Sequence, residues 1–436
     1  MTHLSAHYVF HPVGQGLFAS GALFGHTNPD RHLLDANFRW VYDCGTSSSQ
    51  QLVIREIDRL YNAARNGAPK PRLDLVAISH FDSDHISGFV ALLEKFQVQN
   101  LLLPYLPLWQ RIAIAFDQSA QNSPEAIRFF LDPIAFINRI EGAEIKKIIL
   151  ARSSEQSSSD NNPNEIPSED TDSPWGLMFE ATDLNEQERD ELNVSNQSPS
   201  GIPLFLLRPG SAMRVARQWE FVPYNDSFTF PAPSQVFLDA VESARGKLLQ
   251  AAKEDDRVVA LKELKDKYDN EFGKTAKARN GISLHLYGGP IGRTQTIASC
   301  HCCSQTYFHS CCHHWCGDDE CWFPCDFRHQ KDQPLGILYT GDAYLNTSNK
   351  LVHLMNFLHM PSSRNLLCLQ VMHHGAKGNW HKGVATKLAP MISVFSSNPN
   401  DGRYRHPHIP VWKDFEKFGR TQVNESCGMA VCACYR

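Results

Sequence analysis

The sequence predicts an α/β sandwich, on three observations. Strand-like stretches occur at both ends of the chain, helical stretches lie among them, and a compact apolar strand runs directly into a polar cluster. Near the start, HYVFHPV and LFASGALF alternate like two strands around the turn signal GQG. FRWVYDCG is a further strand ending in a glycine turn. Residues 50–65 then place Val53, Ile57 and Leu60 on one helical face. Residues 73–79, LDLVAIS, alternate weakly, as suits a strand covered on both faces. HFDSDH follows at once, and ISGFVALLEKF opens a helix.

Later elements continue the pattern. VQNLLLP (98–104) and KKIIL (146–150) read as strands on either side of a helical region at 124–141. Residues 152–174 have almost no apolar side chains and 183–200 are polar again, so 152–200 is expected to be a polar loop insert. Residues 234–275 carry opposite charges at helical spacing and are expected to form a charged helical insertion or a helical layer. GISLHLYG, GILYTGDA, LLCLQVMHHG and MISVFSS supply further strands, and ESCGMAVCACY is expected to close a sheet edge.

With 436 residues, the chain is long for a single core, so one large domain over 1–436 with insertions is weighed against two domains. Hydrophobic residues make up 42% and charged residues 20%, ordinary values for a folded protein. The formal net charge of -5 gives no global case for nucleic-acid binding. The N-terminal segment lacks the basic and apolar regions of a signal peptide, and no apolar run is long enough to span a bilayer. The expectation is a cytoplasmic protein without membrane association.

Chemistry concentrates at His80-Phe81-Asp82-Ser83-Asp84-His85, four potential metal ligands within six residues. Imidazoles and carboxylates suit zinc, manganese or iron. A turn here could send His80 and Asp82 one way and Asp84 and His85 another, serving two neighbouring ions. Asp342 in TGDA and the pair His373-His374 in MHHG each follow an apolar strand, so three polar clusters can converge on one sheet edge.

These motifs resemble the metallo-beta-lactamase-fold superfamily. Its first metal signature is His-x-His-x-Asp-His, and here the order is His80-x-Asp82-x-Asp84-His85. The aspartate in second place, with VGQGLF, VYDCG, NGISLHL, LYTGDA, VMHHGAKGN and NPNDGRYRHPH in the same order, is most similar to the hydrolase domain of ComEC DNA-uptake proteins. The resemblance implies a four-layer αββα arrangement with insertions. It implies that Asp342 approaches both ions and that His373 or His374 completes the second site. Asp43 matches a supporting position, although its simpler reading as a turn cap is preferred. A middle-chain histidine usual for the first site has no counterpart, since none occurs between His85 and His285. A one-ion enzyme therefore stays open.

The expected activity is a metal-dependent hydrolase with one or two catalytic zinc ions, manganese being the alternative. Metal-bound hydroxide would attack the substrate, with Asp84 and His406 as candidate catalytic residues. By resemblance the substrate is a phosphodiester, with nucleic acid open as a partner. Another ester, a thioester, a lactone or an amide is the alternative, as is a non-catalytic binding or regulatory protein on a degenerate hydrolase fold. His406, His408 and Asn400 match a family segment near the site, and Arg403, Arg405 and Lys377 could offer charge to phosphate. Oligomeric state and protein partners are not legible.

Residues 300–325 hold eight of the 13 cysteines and four histidines. In a reducing compartment such a density suggests metal. Structural zinc is expected there, held mainly by Cys311, Cys312, Cys316, Cys321 and Cys325, with disulfides or a thiol loop as alternatives. The remaining cysteines, Cys44, Cys368, Cys427, Cys432 and Cys434, read as small buried hydrophobes.

Overall fold

The computed structural model describes residues 4–25, 36–114, 124–152, 164–166, 174–192, 201–225, 233–251, 253–272, 283–291, 296–304, 335–357 and 365–435. Two runs of strands organise it. In the first, Leu4–Phe10 lies antiparallel between Phe18–Gly25 and Gly428–Tyr435. Phe38–Cys44 continues from Phe18–Gly25, and the parallel strands Leu75–Ala77, Gln97–Pro104, Glu144–Ala151 and Leu204–Leu207 follow. In the second, Met213–Val215, Trp219–Asn225, Leu284–Pro290 and Leu335–Tyr339 are antiparallel. Asn365–Gln370, Ile392–Ser396 and Arg420–Val423 then extend it in parallel.

Leu177–Thr182 pairs with both Leu204–Leu207 and Met213–Val215, so the two runs form one continuous, barrel-like sheet in a mixed α/β fold. This strand lies inside the segment expected to be a polar loop insert. Its alternation, with Leu177, Phe179 and Ala181 buried, is short and hidden between polar neighbours. Residues 153–163, 167–173 and 193–200 of that segment lie outside the described residues.

Three cores flank the strands. Between the two runs, Tyr8, Trp40, Trp219, Phe221 and Tyr339 are fully buried. Trp40 meets Phe221 edge-on at 5.3 Å and its indole N–H donates to the Tyr339 hydroxyl at 3.2 Å. Large aromatics suit this place because each buries a large apolar area between the strand runs. On the outer face of the first run, Val53, Ile57 and Leu60 of helix Gln50–Ala64 are buried, the stripe read from their spacing. Phe237, Val241, Leu261, Leu264 and Tyr268 join that core from helices Gln235–Gln250 and Glu254–Phe272. Helices Ser348–Phe357, Val384–Leu388 and Ile409–Asp414 cover the outer face of the second run.

Two local expectations are corrected. The helical region at 124–141 is two helices, Pro124–Leu131 and Pro133–Asn138. Asp132 caps the second by accepting from the Ala135 N–H, and Pro133 fits its first turn, where no N–H is needed. The last strand does not close an edge, because Gly428–Tyr435 also pairs antiparallel with Thr296–Ser304. Of the five dispersed cysteines, Cys44 and Cys368 are buried, and Cys427 and Cys432 are half-buried. The Cys434 side chain lies outside the described set. Among the described residues, no helix is long and apolar enough to cross a membrane.

Candidate metal centre

The site is assembled at the C-terminal ends of parallel strands, where loops can present polar groups from a rigid base. His80 leaves the strand Leu75–Ala77 three residues after its end, and Asp82 stands just before the short helix Ser83–Ile86 that carries Asp84 and His85. Asp342 follows Leu335–Tyr339, and His373 and His374 follow Asn365–Gln370. Glycine is required where this packs tightly. A side chain on Gly45 would collide with the His85 backbone. Gly341, at φ +51°, has Ser79 and Ser283 against its α-carbon. Both histidines of the pair adopt left-handed backbone, at φ 45° and 57°. The His373 N–H donates to the Gly341 carbonyl at 2.9 Å, tying that turn to the Asp342 loop.

Two clusters could each hold a metal ion. Asp84, His85, Asp342 and His374 form one, and His80, Asp82 and Asp342 the other. Asp342 belongs to both, with one oxygen on each side. Its Oδ1 lies 3.0 Å from His85 Nε2 and 3.8 Å from His374 Nε2. Its Oδ2 lies 3.6 Å from His80 Nε2 and 3.4 Å from His373 Nε2. His374 Nε2 is also 3.2 Å from Asp84 Oδ2, and His80 Nε2 is 3.6 Å from Asp82 Oδ2. Of the adjacent pair, His374 joins the four-residue cluster, while His373 approaches only the Asp342 oxygen shared with His80.

The hydrogen bonds behind these side chains set their tautomers. His85 Nδ1 donates to Asp43 Oδ2 at 2.7 Å, and His374 Nδ1 donates to the Ser396 carbonyl at 2.5 Å. The Ser79 hydroxyl gives its proton to Asp43 Oδ2 at 2.6 Å, so it accepts from His80 Nδ1 at 2.8 Å. In the neutral state all three rings therefore turn an Nε2 lone pair toward carboxylate oxygens. Acceptors facing acceptors in a buried space need a proton or a metal cation between them. His80 Nε2 is buried and has no hydrogen-bond partner among the described residues, which fits a metal-facing position.

The electrostatics agree. Burial lowers the His85 pKa, yet Asp342, Asp43 and Asp84 outweigh it and raise that pKa well above the usual value. Burial and His85 likewise pull His80 down, but Asp82 and Asp342 bring it above its ordinary value. Burial opposes ionisation of Asp342, and the neighbouring His373, His85 and His80 still hold it well below the carboxylate range. The pocket attracts positive charge, and its imidazole and carboxylate donors suit zinc, manganese or iron.

Asp43 is more than a turn cap. It is fully buried and accepts from His85, from the Ser79 N–H at 2.7 Å and from the Ser79 hydroxyl. His406 is 5% exposed and stands beside the pair, its ring 5.8 Å from His373 and 6.2 Å from His374. Burial, then the neighbouring histidines, push its pKa down to about 3. It belongs to neither cluster. Cys311, Cys312, Cys316, Cys321 and Cys325 lie outside the described residues. Reading the sequence missed Ser79, Gln15, Ser283 and Asn379. Ser79 sits between Asp43 and two histidines, and Gln15 donates to His406 at 3.2 Å. The Ser283 hydroxyl accepts from the Asp342 N–H, and Asn379 donates to the Asp342 carbonyl. Adjacency to His80 and the GQG turn were the only local signals for the first two.

No curated protein matches the chain. One protein-family model does, over a stretch that contains Asp43, His80, Asp82, Asp84 and His85 but not Asp342 or His374. Residues 35–106 match the model of the metallo-beta-lactamase superfamily, so the part of the chain that supplies four of the six cluster residues is similar to a family of generally metal-dependent hydrolases.

Proposed function

We propose that the chain is a cytoplasmic metal-dependent hydrolase acting on phosphodiesters, nucleic acid among them. The observation that carries this reading is the division of the Asp342 carboxylate between two donor clusters. In this reading His80, Asp82 and Asp342 hold one ion, and Asp84, His85, Asp342 and His374 hold another. A zinc or manganese ion there supplies Lewis acidity and an activated water. Paired sites suit phosphodiester cleavage, in which attacking and leaving oxygens both carry developing charge.

The chain's own groups do the rest. Asp43 and the Ser396 carbonyl lock His85 and His374 in the ligand tautomer. Asp84 and Asp342 bring negative charge that favours a bound cation. Arg403 and Arg405 flank Tyr404 and lead into His406, and the Lys377 N–H donates to His408 Nδ1 at 3.1 Å. That contact sets a lysine backbone beside the loop carrying both arginines, whose positive charge would suit a phosphate. Three cores around two runs of strands support a four-layer αββα arrangement. Structural zinc held by Cys311, Cys312, Cys316, Cys321 and Cys325 is a separate part of the proposal, resting on residue type alone.

The test is a hydrolysis screen of zinc- or manganese-loaded protein on phosphodiester, carboxylic ester, thioester and amide substrates. Phosphodiester cleavage is expected. Cleavage confined to another class would overturn the substrate assignment, and no cleavage of any class would favour a binding protein. The cluster of only three donors at His80 motivates a second reading, an enzyme that works with one ion at the four-residue cluster.

A further inference from the structure

We infer that Gln15 fixes His406 in the tautomer opposite to that of the metal-facing histidines, making it a hydrogen-bond donor to an anionic substrate oxygen and not a metal ligand. The inference rests on the hydrolase reading for its substrate, but its geometry stands apart from it.

Amide orientation is the first step. Gln15 Oε1 accepts from the Asn398 N–H at 3.3 Å. A backbone N–H can only donate, so the oxygen must face it and the amide nitrogen must face the other way. That nitrogen lies 3.2 Å from His406 Nδ1. An amide N–H can only donate as well, so Nδ1 of His406 offers a lone pair. A neutral imidazole with an accepting Nδ1 carries its proton on Nε2.

Gln15 cannot easily turn away from this task. It is 1% exposed. Its N–H donates to the Ser48 hydroxyl at 3.1 Å, and its carbonyl accepts from the Ser47 N–H at 2.7 Å and the Thr46 hydroxyl at 3.2 Å. The contrast with the other histidines is chemical. His80, His85 and His374 each spend the Nδ1 proton on an oxygen acceptor, which leaves Nε2 free to bind metal. His406 is supplied with a donor instead, and it lies outside both clusters. Its Nε2–H is thus the group left to meet substrate beside His373 and His374. A phosphodiester oxygen that gains charge during cleavage is the matching acceptor. Gln15 acts through His406 and is a positioning residue.

Nitrogen-detected NMR of zinc-loaded, histidine-15N-labelled protein reads the tautomer directly, with His406→Gln assigning the signal by its loss. The expected result is an Nε2–H ring in the wild type. Metal content per chain is expected to be unchanged in His406→Gln. In Gln15→Glu, whose carboxylate only accepts, the proton should move to Nδ1 or the ring should become doubly protonated. Its kcat should fall roughly 10²-fold, the usual loss for a displaced oxyanion donor, with little change in KM. An Nδ1–H ring in the wild type, or loss of an ion in folded His406→Gln, would overturn the inference. The tautomer and metal readouts need no turnover, so a wild-type protein that hydrolyses nothing would sink the hydrolase reading while leaving this one to be decided.

Discussion

Asp43 holds His85 from behind: its Oδ2 accepts the His85 Nδ1 proton at 2.7 Å while the far side of the ring faces Asp342. A carboxylate in this place both orients the ring and increases its basicity toward a metal. Asp43→Asn removes the charge and keeps the size. Metal affinity should fall on the order of 10–100-fold, as is typical when such a partner is changed. Competition against a calibrated chelator measures it, and equal affinity in the two proteins would mean that Asp43 serves only the local turn.

The adjacent histidines should separate. His374 stands 3.2 Å from Asp84 and joins the four-residue cluster, whereas His373 is a quarter exposed and, among the described carboxylates, pairs with Asp342. His374→Ala should lose one ion per chain at limiting metal. His373→Ala should keep that ion and weaken only the cluster at His80. The opposite ranking in equilibrium dialysis would reverse the assignment.

Acid should destabilise the fold through His285. Burial lowers its pKa to about 4, even though Nδ1 can donate to the Tyr224 and Ser283 carbonyls. An unfolded histidine titrates near 6.5, so from there down to about 4 the unfolded chain binds more protons than the folded one. The contribution is complete above the unfolded value and is lost as pH falls through the folded one. The loss is about 3 kcal/mol by linkage. Urea denaturation across that window should show a shallower pH dependence for His285→Gln than for the wild type. Parallel profiles would refute the assignment.

The core between the strand runs should be sensitive to size. Trp219 is fully buried against Tyr8, Trp40 and Tyr435. Trp219→Ala should cost about 3–5 kcal/mol from lost burial and an unfilled cavity. Trp219→Phe should cost clearly less, because it fills most of the space and removes a buried indole N–H that has no hydrogen-bond partner among the described residues. Equal losses in chemical denaturation would show that the site collapses freely.

Much of this was legible because its signals are local. The helix Gln50–Ala64 follows from the spacing of Val53, Ile57 and Leu60, and the polar cluster at 80–85 stands out against the apolar strand before it. What stayed hidden is non-local. Leu177–Thr182 is a six-residue strand between polar stretches, and its role depends on two partners distant in sequence. The choice between His373 and His374 depends on a left-handed turn that spacing does not encode. Gln15 meets His406 across 391 positions, and no periodicity reports such a pair.

Metal binding at these clusters underlies every role assigned to their residues. Inductively coupled plasma mass spectrometry on purified protein, wild type and Asp84→Ala/His85→Ala, tests it most directly, with circular dichroism confirming that both are folded. At least one zinc or manganese per wild-type chain is expected at the clusters, with loss of that ion in the variant. A folded wild type that carries no transition metal, and takes up none after incubation with zinc or manganese, would contradict it.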